Sequence, residues 1–499
     1  MSNIQKLSQL LSQFDWQKSI LFATDSYKFS HYAQYPDGTE FIHSYIEPRK
    51  ASNYSNEVIL AGVQDCIIKY FAKPITSIEV EAAKIFAEMH GVPFNYEGWM
   101  SIVNNFDGFL PIEINALPEG SAIEVKNAVL TITNTVSGYG WLVGWCEPVL
   151  LRSVWYKSTV ATYSAQIKKT IIASCSESMD MDEIVQTINF AHHDFGSRGV
   201  SSGESACIGG SAHAMTSMGS DTVEGILHTI ANFSVSDMPC YSVPAAEHST
   251  VTIYLKDGER DAILNMINKF GDKYKIISFV ADSYNVRENV KMVVELKDLI
   301  KEKGIKFVIR PDSGDAHLVI LEIFNFLHSK QLLNRKVFKN KLFFELPDWL
   351  GILQGDGVCI DTIVKIQQTL NERNYCLKGL VFGQGGALLQ SHSRDDFGWA
   401  MKCSYAVING EGRDVYKDPI TDKSKKSKRG LIKLITVNGK YSTILSSEDP
   451  NFDSHFNLLT CAYRYSGSDN TVPYIRCEKW AEVKERVNAY IFKGAYVNV

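Results

Sequence analysis

The chain has 499 residues, 45% of them hydrophobic and 11% aromatic, with a formal net charge of -5. That length predicts two domains or one barrel with large additions; the composition excludes a disordered chain, and the slight charge excludes a globally basic nucleic-acid binder while leaving room for a local basic pocket. No apolar run is long enough to cross a bilayer and no secretory signal opens the sequence, so a cytoplasmic protein making no membrane contact is expected. The cysteines are scattered and form no CxxC pair, which predicts reduced thiols and neither a disulfide frame nor a zinc site.

Leu7, Leu10, Leu11 and Phe14 fall at helical spacing and predict a short amphipathic helix over 3–14. Residues 21–35 then crowd Asp25, Tyr27, Lys28, His31 and Tyr32 into a stretch without a clear period, ending at the Pro36-Asp37-Gly38 turn. A strand over 41–46 delivers Glu47, Arg49 and Lys50 at its end, and a helix carrying Leu60, Val63, Ile67 and Phe71 follows. To about residue 180 the chain mixes helices with strands such as 112–116 and 128–133, an α+β pattern.

From about Glu183 the rhythm becomes strand, polar loop, helix. Strand ends are predicted near Phe190, Tyr241, Phe279, Ile309, Leu353 and Phe382, followed by HHDFGSRG, SVPAAEHST, VADSYN, RPDSGD, QGDGV and GQGG. A further loop at Asp221 opens the helix running toward Ile230. Parallel strands joined by helices place every following loop on one side, and closure into a barrel gathers them into one ring. Beyond Arg394 the rhythm lapses into strands at 402–408 and 431–437 and a helix at 480–491. The prediction is an α/β chain: an irregular β/α barrel over 183–394, with a discontinuous α+β domain made of 1–182 and 395–499.

The polar loops carry the chemistry. His248, just after the Pro244-Ala245-Ala246 bend, could take a proton, bind an anion or carry a phosphoryl group, because imidazole is poised near neutral pH; a hydrogen-bonded structural histidine is the plain alternative. Glycines 383, 385 and 386 lie between a strand and a helix, where backbone N–H groups can approach a phosphate, yet the turn is neither a Walker loop nor GxGxxG. Asp312 and the Gly355-Asp356 turn could grip ribose hydroxyls or magnesium, or could simply be tight turns. Arg198 and Arg310 offer planar forks for phosphates, against the alternative of ion pairs with Asp194 or Asp312. Phe195 could be core or lie against a flat ring. Asp221 could cap its helix or accept from a substrate amide. The basic run 423–429 could be a solvated loop or contact an anion.

Several stretches together resemble the nicotinamide phosphoribosyltransferase family: ATDSYK (23–28), HDFGSRGVSS (193–202), SVPAAEHST (242–250), IRPDSGD (309–315), QGDGV (354–358), FGQGGALLQ (382–390) and KCSY with the later KDP (402–419). They occur in the family's order over most of the chain. The resemblance implies a type II phosphoribosyltransferase that joins nicotinamide to phosphoribosyl pyrophosphate, giving nicotinamide mononucleotide and pyrophosphate for NAD salvage. It also implies magnesium, ATP as cosubstrate, and a homodimer with shared sites, with no nucleic-acid or membrane partner. By matching position, Phe195 and the partner's Tyr27 would sandwich the pyridine ring, and Asp221 would take the carboxamide N–H. Asp312, Gly355 and Asp356 would hold the ribose, and Gly385 and Gly386 the 5′-phosphate. Arg198 and Arg310, with Arg49, Arg394, Lys402 and Lys417 from the partner, would surround the pyrophosphate. His248 matches the autophosphorylated histidine, with Asp282 as helper to it or to the metal; metal ligands are not implied.

Two departures stand out: Ser197 occupies the place of a bulkier aromatic, and Gln384 replaces a smaller residue in the glycine turn. The insert 332–345 and the last 60 or so residues match poorly, and nothing carries over there. The competing readings are a nicotinate phosphoribosyltransferase, another barrel enzyme acting on phosphosugars, and a noncatalytic binding relative. Asp221 separates the first two, since a second carboxylate repels nicotinate whereas an amide offers a donor.

Overall fold

The computed structural model describes residues 2–421, 425–467 and 472–493. The chain divides into two compact units, one made of Met1–Thr162, Asn232–Ser236 and His392–Val487, the other of Tyr163–Ala231, Asp237–Ser391 and Asn488–Val499. No helix among the described residues is long and apolar enough to cross a membrane.

The first unit is built on a seven-stranded sheet in the order Glu411–Asp414, Ala400–Ile408, Thr39–Glu47, Leu130–Asn134, Ile112–Ala116, Thr460–Arg464, Tyr474–Ile475. Every neighbouring pair is antiparallel. Ile112–Ala116 alternates buried and half-buried side chains, the period expected of a strand with one face on a core. That core joins Ile42, Ile112, Ile114 and Ile132 of the sheet to Phe71, Trp99 and Trp145. Helix Ser77–His90 shows why the local sequence starts and stops as it does: Thr76 and Glu79 form a reciprocal capping box, and Gly91 ends the helix at a φ of 80°. The opening helix is Asn3–Leu11, shorter than the predicted 3–14. Of the basic run 423–429, residues 423 and 424 lie outside the described residues, while Lys428 is ion-paired with Glu47.

The second unit carries a parallel sheet of strands β1 (His192–Asp194), β2 (Gly219–Ser220), β3 (Ile276–Val280), β4 (Lys306–Arg310), β5 (Leu350–Gln354) and β6 (Leu380–Gln384), in the order β2-β1-β6-β5-β4-β3. All ladders are parallel. β5 is buried at every position and β3 at all but its first, the near-continuous apolar run of a strand covered on both faces. Helices Ala316–Ser329 and Ile360–Asn371 supply the cover with Ile320, Phe324 and Leu327, and with Ile363, Ile366 and Leu370.

The sheet edges β2 and β3 are joined by residues 241–246. Gly219 pairs in parallel with Tyr241, and Ala245 with Ser278. Tyr241 N–H donates to the Met218 carbonyl at 2.7 Å, and Ser278 N–H to the Pro244 carbonyl at 2.9 Å. Pro244 has no N–H to lose and contributes only its carbonyl, so proline costs nothing at this stave. The irregular β/α barrel expected from the sequence is present, with its last stave reduced to isolated bridges. All strands share one direction, so the loops after their C-termini gather at one end.

Candidate functional site

At that end lies a cavity of about 690 Å³. Phe195, Ser197 and Arg198 enter it after β1, Asp221 after β2, His248 after the bridging stave, Arg310 and Asp312 around the end of β4, Gly355 after β5, and Gly385 and Gly386 after β6. These residues span positions 195 to 386, and parallel topology brings them to one basin.

The Phe195 ring lies against β6: its backbone N–H donates to the Gln384 carbonyl at 2.8 Å, and a Cβ built on Gly383 would fall 2.0 Å from the ring. No side chain at 383 is compatible with that placement. Asp194 shapes the same loop. Its Oδ1 accepts the Gly196 N–H at 2.7 Å and its carbonyl accepts the Asp221 N–H at 2.9 Å, so one buried residue ties two cavity loops together. Burial pushes its carboxyl up to about 6, against the pull of the Gly196 N–H. The ion pair with Arg198 considered from the sequence is not the contact Asp194 makes in either of these bonds. An aspartate two residues before a glycine N–H is an Asx-turn signal, the one pattern that could have marked Asp194. Ser242 donates to the Asp221 carboxylate, and Ser197 to Glu224 at 3.2 Å.

His248 begins the short helix His248–Thr252. Its Nε2 lies 2.9 Å from Asp282 Oδ1, with the His side chain 48% exposed and the Asp side chain 8% exposed. A carboxylate accepting from Nε2–H fixes the tautomer and leaves the Nδ1 lone pair available. Arg310 Nε stands 3.9 Å from Asp312 Oδ1 and, though buried, has no hydrogen-bond partner among the described residues, so the guanidinium retains donor capacity. A Cβ on Gly355 would approach Asp312 Oδ1 to 2.9 Å, which is why glycine suits the turn facing that carboxylate. Asp356 is exposed and does not line the cavity; its backbone carbonyl instead accepts from the Gln354 side chain at 2.8 Å.

The remaining sequence candidates belong to the first unit. Tyr27 is 58% exposed on the 3-10 helix Ser26–Ala33, with the His31 ring edge-on at 5.0 Å and the Lys28 ammonium 5.5 Å from its own ring. Lys402 sits within strand Ala400–Ile408; burial holds its ammonium below the usual lysine range, helped by the positive charges of Arg49, Lys417 and Arg394 and opposed by Glu147. Three cations from separate stretches are therefore close enough to repel Lys402 within one unit. Such a cluster favours binding a polyanion. Arg49 is further held by Glu47 at 3.7 Å and by the Lys426 carbonyl at 3.3 Å.

Among the described residues no group of three His, Cys, Asp or Glu side chains is placed to hold a metal ion. The polar groups in the cavity are separate carboxylates such as Asp221 and Asp312, the guanidinium groups of Arg198 and Arg310, and the backbone of the glycine turn. That set fits magnesium as an ion carried on phosphate oxygens with one or two protein carboxylates, its usual mode, and does not fit an all-protein cage.

The family model described as "Nicotinate phosphoribosyltransferase (NAPRTase) family" matches residues 190–457, and "Nicotinamide phosphoribosyltransferase, N-terminal domain" matches 19–114. A nicotinamide phosphoribosyltransferase of Xanthomonas campestris pv. campestris is 36% identical over 434 residues, covering 86% of this chain and 91% of the relative. One of Acinetobacter baylyi is 28% identical, covering 83% and 88%. In fold, the chain is similar to a nicotinate-nucleotide pyrophosphorylase of Pyrococcus furiosus, with a TM-score of 0.60, 16% identity and coverage of 95% and 96%. It is also similar to human nicotinic acid phosphoribosyltransferase, with a TM-score of 0.56, 15% identity and coverage of 93% of both chains. The chain therefore belongs to the nicotinate and nicotinamide phosphoribosyltransferase family of pentosyltransferases.

Proposed function

We propose that this enzyme transfers the phosphoribosyl group of phosphoribosyl pyrophosphate to nicotinamide, with ATP hydrolysis coupled through a phosphorylated His248, in a homodimer. The observation that carries the reading is the convergence of an aromatic face, an acceptor for an amide N–H, carboxylates, arginines and a glycine turn on one cavity: Phe195, Asp221, Asp312, Arg198, Arg310, Gly385 and Gly386. The pyridine nitrogen attacks the ribose C1 with its lone pair as the bond to pyrophosphate breaks, and the electron pair leaves with the pyrophosphate oxygen. No proton moves, so no general base is needed. Cationic character on the sugar favours Asp312 beside the ribose, and the arginines receive the departing charge. Phe195, with Tyr27 of a partner subunit, would face the pyridinium product, an interaction of about 0.5–2 kcal/mol. Magnesium, when carried in on the pyrophosphate, would supply positive charge to the leaving group, with Asp312 or Asp282 as its protein donors.

The Asp282 contact supports the role given to His248. With Nε2 committed to Asp282, Nδ1 can attack the γ-phosphorus of ATP, forming the N–P bond as ADP leaves. Asp221 favours nicotinamide over nicotinate, because its carboxylate accepts an amide N–H and repels a second carboxylate. For self-association, support comes from helix Val223–Asn232, whose Val223, Leu227 and Ile230 are 60%, 59% and 38% exposed at helical spacing.

The test is one assay: purified protein with phosphoribosyl pyrophosphate, magnesium, and nicotinamide or nicotinate, with and without ATP, followed by detection of the mononucleotide. Nicotinamide should be used far better, Asp221→Ala should erode that preference about tenfold, and His248→Ala should keep slow basal turnover without ATP stimulation. A wild-type preference for nicotinate would overturn the substrate assignment, and retained ATP coupling in His248→Ala would remove that residue from its role.

A further inference from the structure

We propose that Gln384 is a positioning residue: its side-chain amide ties the loop after β5 to the start of β1 and to helix Glu147–Cys175, at the residue whose carbonyl holds the loop after β1 and which leads into the glycine turn, and this sets the spacing of ribose, ring and 5′-phosphate sites. The inference rests on the activity proposed above.

Gln384 is the last residue of β6 and is 1% exposed. Burying a primary amide is unfavourable unless each polar group finds a partner, and here each does. Its Oε1 lies 3.1 Å from His192 Nε2, and its Nε2 donates to the Val358 carbonyl at 2.8 Å and to the Tyr163 hydroxyl at 3.1 Å. Val358 closes the turn that begins at Gly355. His192 opens β1, Tyr163 belongs to helix Glu147–Cys175, and Gly385 and Gly386 follow directly. The backbone completes the junction, since Gln384 pairs with Asp194 and its carbonyl takes the Phe195 N–H.

The orientation of this amide is dictated. A carbonyl acceptor at Val358 requires the NH2 group on that side, which turns Oε1 toward His192 and so requires Nε2–H on the imidazole. Burial pushes the His192 imidazole down to about 3, so the ring is neutral and holds that one tautomer. Its Nδ1 is buried with no hydrogen-bond partner among the described residues. The network thus runs in a single direction, from His192 through Gln384 to Val358 and Tyr163. A shorter side chain at 384, which the resemblance leads one to expect, could not span β1, the β5 loop and the long helix at once.

Two substitutions separate positioning from bulk packing. Gln384→Met keeps length and volume but removes every bond. Gln384→Glu sets a carboxylate oxygen against the Val358 carbonyl, and only its protonated form can donate there as the amide does. Burial raises a carboxyl's pKa. The titratable groups around this site are His192, His193 and Asp194 on β1, Tyr163 and Lys168 on the long helix, and Cys359 and Asp361; His193 and Lys168 act on His192, and Cys359 and Asp361 on Tyr163. Asp194 titrates in the same range, so each variant is compared with wild type at every pH.

The experiment measures steady-state kinetics of wild type, Gln384→Met, Gln384→Glu and Tyr163→Phe from about pH 6 to 8, and hydrogen exchange of the segments 195–199 and 355–358. Misplacement of reacting groups by a fraction of an ångström to 1 Å can cost up to about a hundredfold, so Gln384→Met is expected to lose about tenfold or more in kcat/KM, with KM rising for both substrates and exchange accelerating in both segments. The ratio of Gln384→Glu to wild type should rise as pH falls. Tyr163→Phe, which removes the hydroxyl that accepts from Gln384, should show a smaller change in the same direction and stands in if Gln384→Met does not fold. Kinetics within twofold of wild type for the 384 variants, a pH-independent ratio for Gln384→Glu, or unchanged exchange in the two segments would overturn the proposal. A wild type without turnover but with faster exchange in the variants would instead sink the activity and leave the staple standing.

Discussion

Asp194 shows how much a single buried carboxylate can organise. It folds the Phe195 loop through the Gly196 N–H and holds the Asp221 N–H on its carbonyl, so both proposed contacts to nicotinamide depend on it. Asp194→Ala is expected to raise the nicotinamide KM about tenfold, the effect of losing one buried, charge-assisted hydrogen bond. Asp194→Asn keeps an Oδ1 acceptor and should stay near wild type. The pH dependence of stability gives a second check. The folded carboxyl titrates near 6, above its ordinary 3.8. Between those values the native chain holds a proton that the unfolded chain has released, so this group's contribution is present at low pH and is lost as pH rises through 6. Asp194→Asn removes that loss and should be more stable than wild type above pH 6, by at most about 3 kcal/mol, as read from denaturant midpoints. Denaturant midpoints that depend on pH in the same way in Asp194→Asn and wild type would show that the carboxyl is not so perturbed. At this scale the sequence exposed residue types but not their partners. His248 was recognisable, and its bond to Asp282 joins loops after different staves; Asp194 was visible only as a neighbour of Arg198.

The barrel staves were legible because buried parallel strands read as short apolar runs ending in polar loops, and the predicted ends near Phe279, Ile309, Leu353 and Phe382 lie within two residues of the observed ones. Two elements were not. Helix Glu147–Cys175 runs for 29 residues, yet Lys157, Ser158, Thr159, Thr162, Ser164 and Lys168 are fully buried in it, so polar side chains interrupt any apolar stripe. The hairpin of Asn334–Phe338 and Lys341–Glu345 falls in the unmatched insert. Its turn, Lys339-Asn340, has φ values of 46° and 61°, the two-residue geometry that twists with the strands. Helix Val223–Asn232 was expected, but not its exposed apolar face. If that face covers a second copy, Leu227→Glu buries a charge in the interface and should shift the protein toward monomer, with the dissociation constant raised about tenfold or more. Because Leu227 is 59% exposed, thermal stability of the monomer should be unchanged. Sedimentation showing the same association in Leu227→Glu as in wild type would place the interface elsewhere.

For the molecule as a whole, the sequence implied that distant loops form one basin, and the parallel order of the second unit supplies the reason. It could not say which member of each turn faces the basin: Gly355 lines it while Asp356 is turned to solvent, a choice made by backbone geometry. The first unit holds an exposed Tyr27 and Lys402, whose ammonium is repelled by Arg49, Arg394 and Lys417. Such an arrangement suits residues kept for a polyanionic ligand, because repulsion among cations is relieved when it binds. Whether Tyr27 serves a partner's Phe195 can be decided by complementation. Phe195→Ala and Tyr27→Ala homodimers should each fall to about a tenth of wild-type kcat/KM, since each loses one aromatic face. After the two are mixed and subunits exchange, random pairing makes half the dimers mixed, and in a shared-site arrangement one site of each mixed dimer combines an intact Phe195 with an intact Tyr27. Activity should then climb to about three tenths of wild type, roughly a quarter from restored sites and the rest from the parental dimers that remain, as two-fold symmetry requires. If Tyr27 and Phe195 of one subunit serve the same site, every subunit carries a lesion and mixing restores nothing. Incubating the variants under conditions where labelled wild-type subunits are shown to exchange makes the absence of rescue decisive against a shared site.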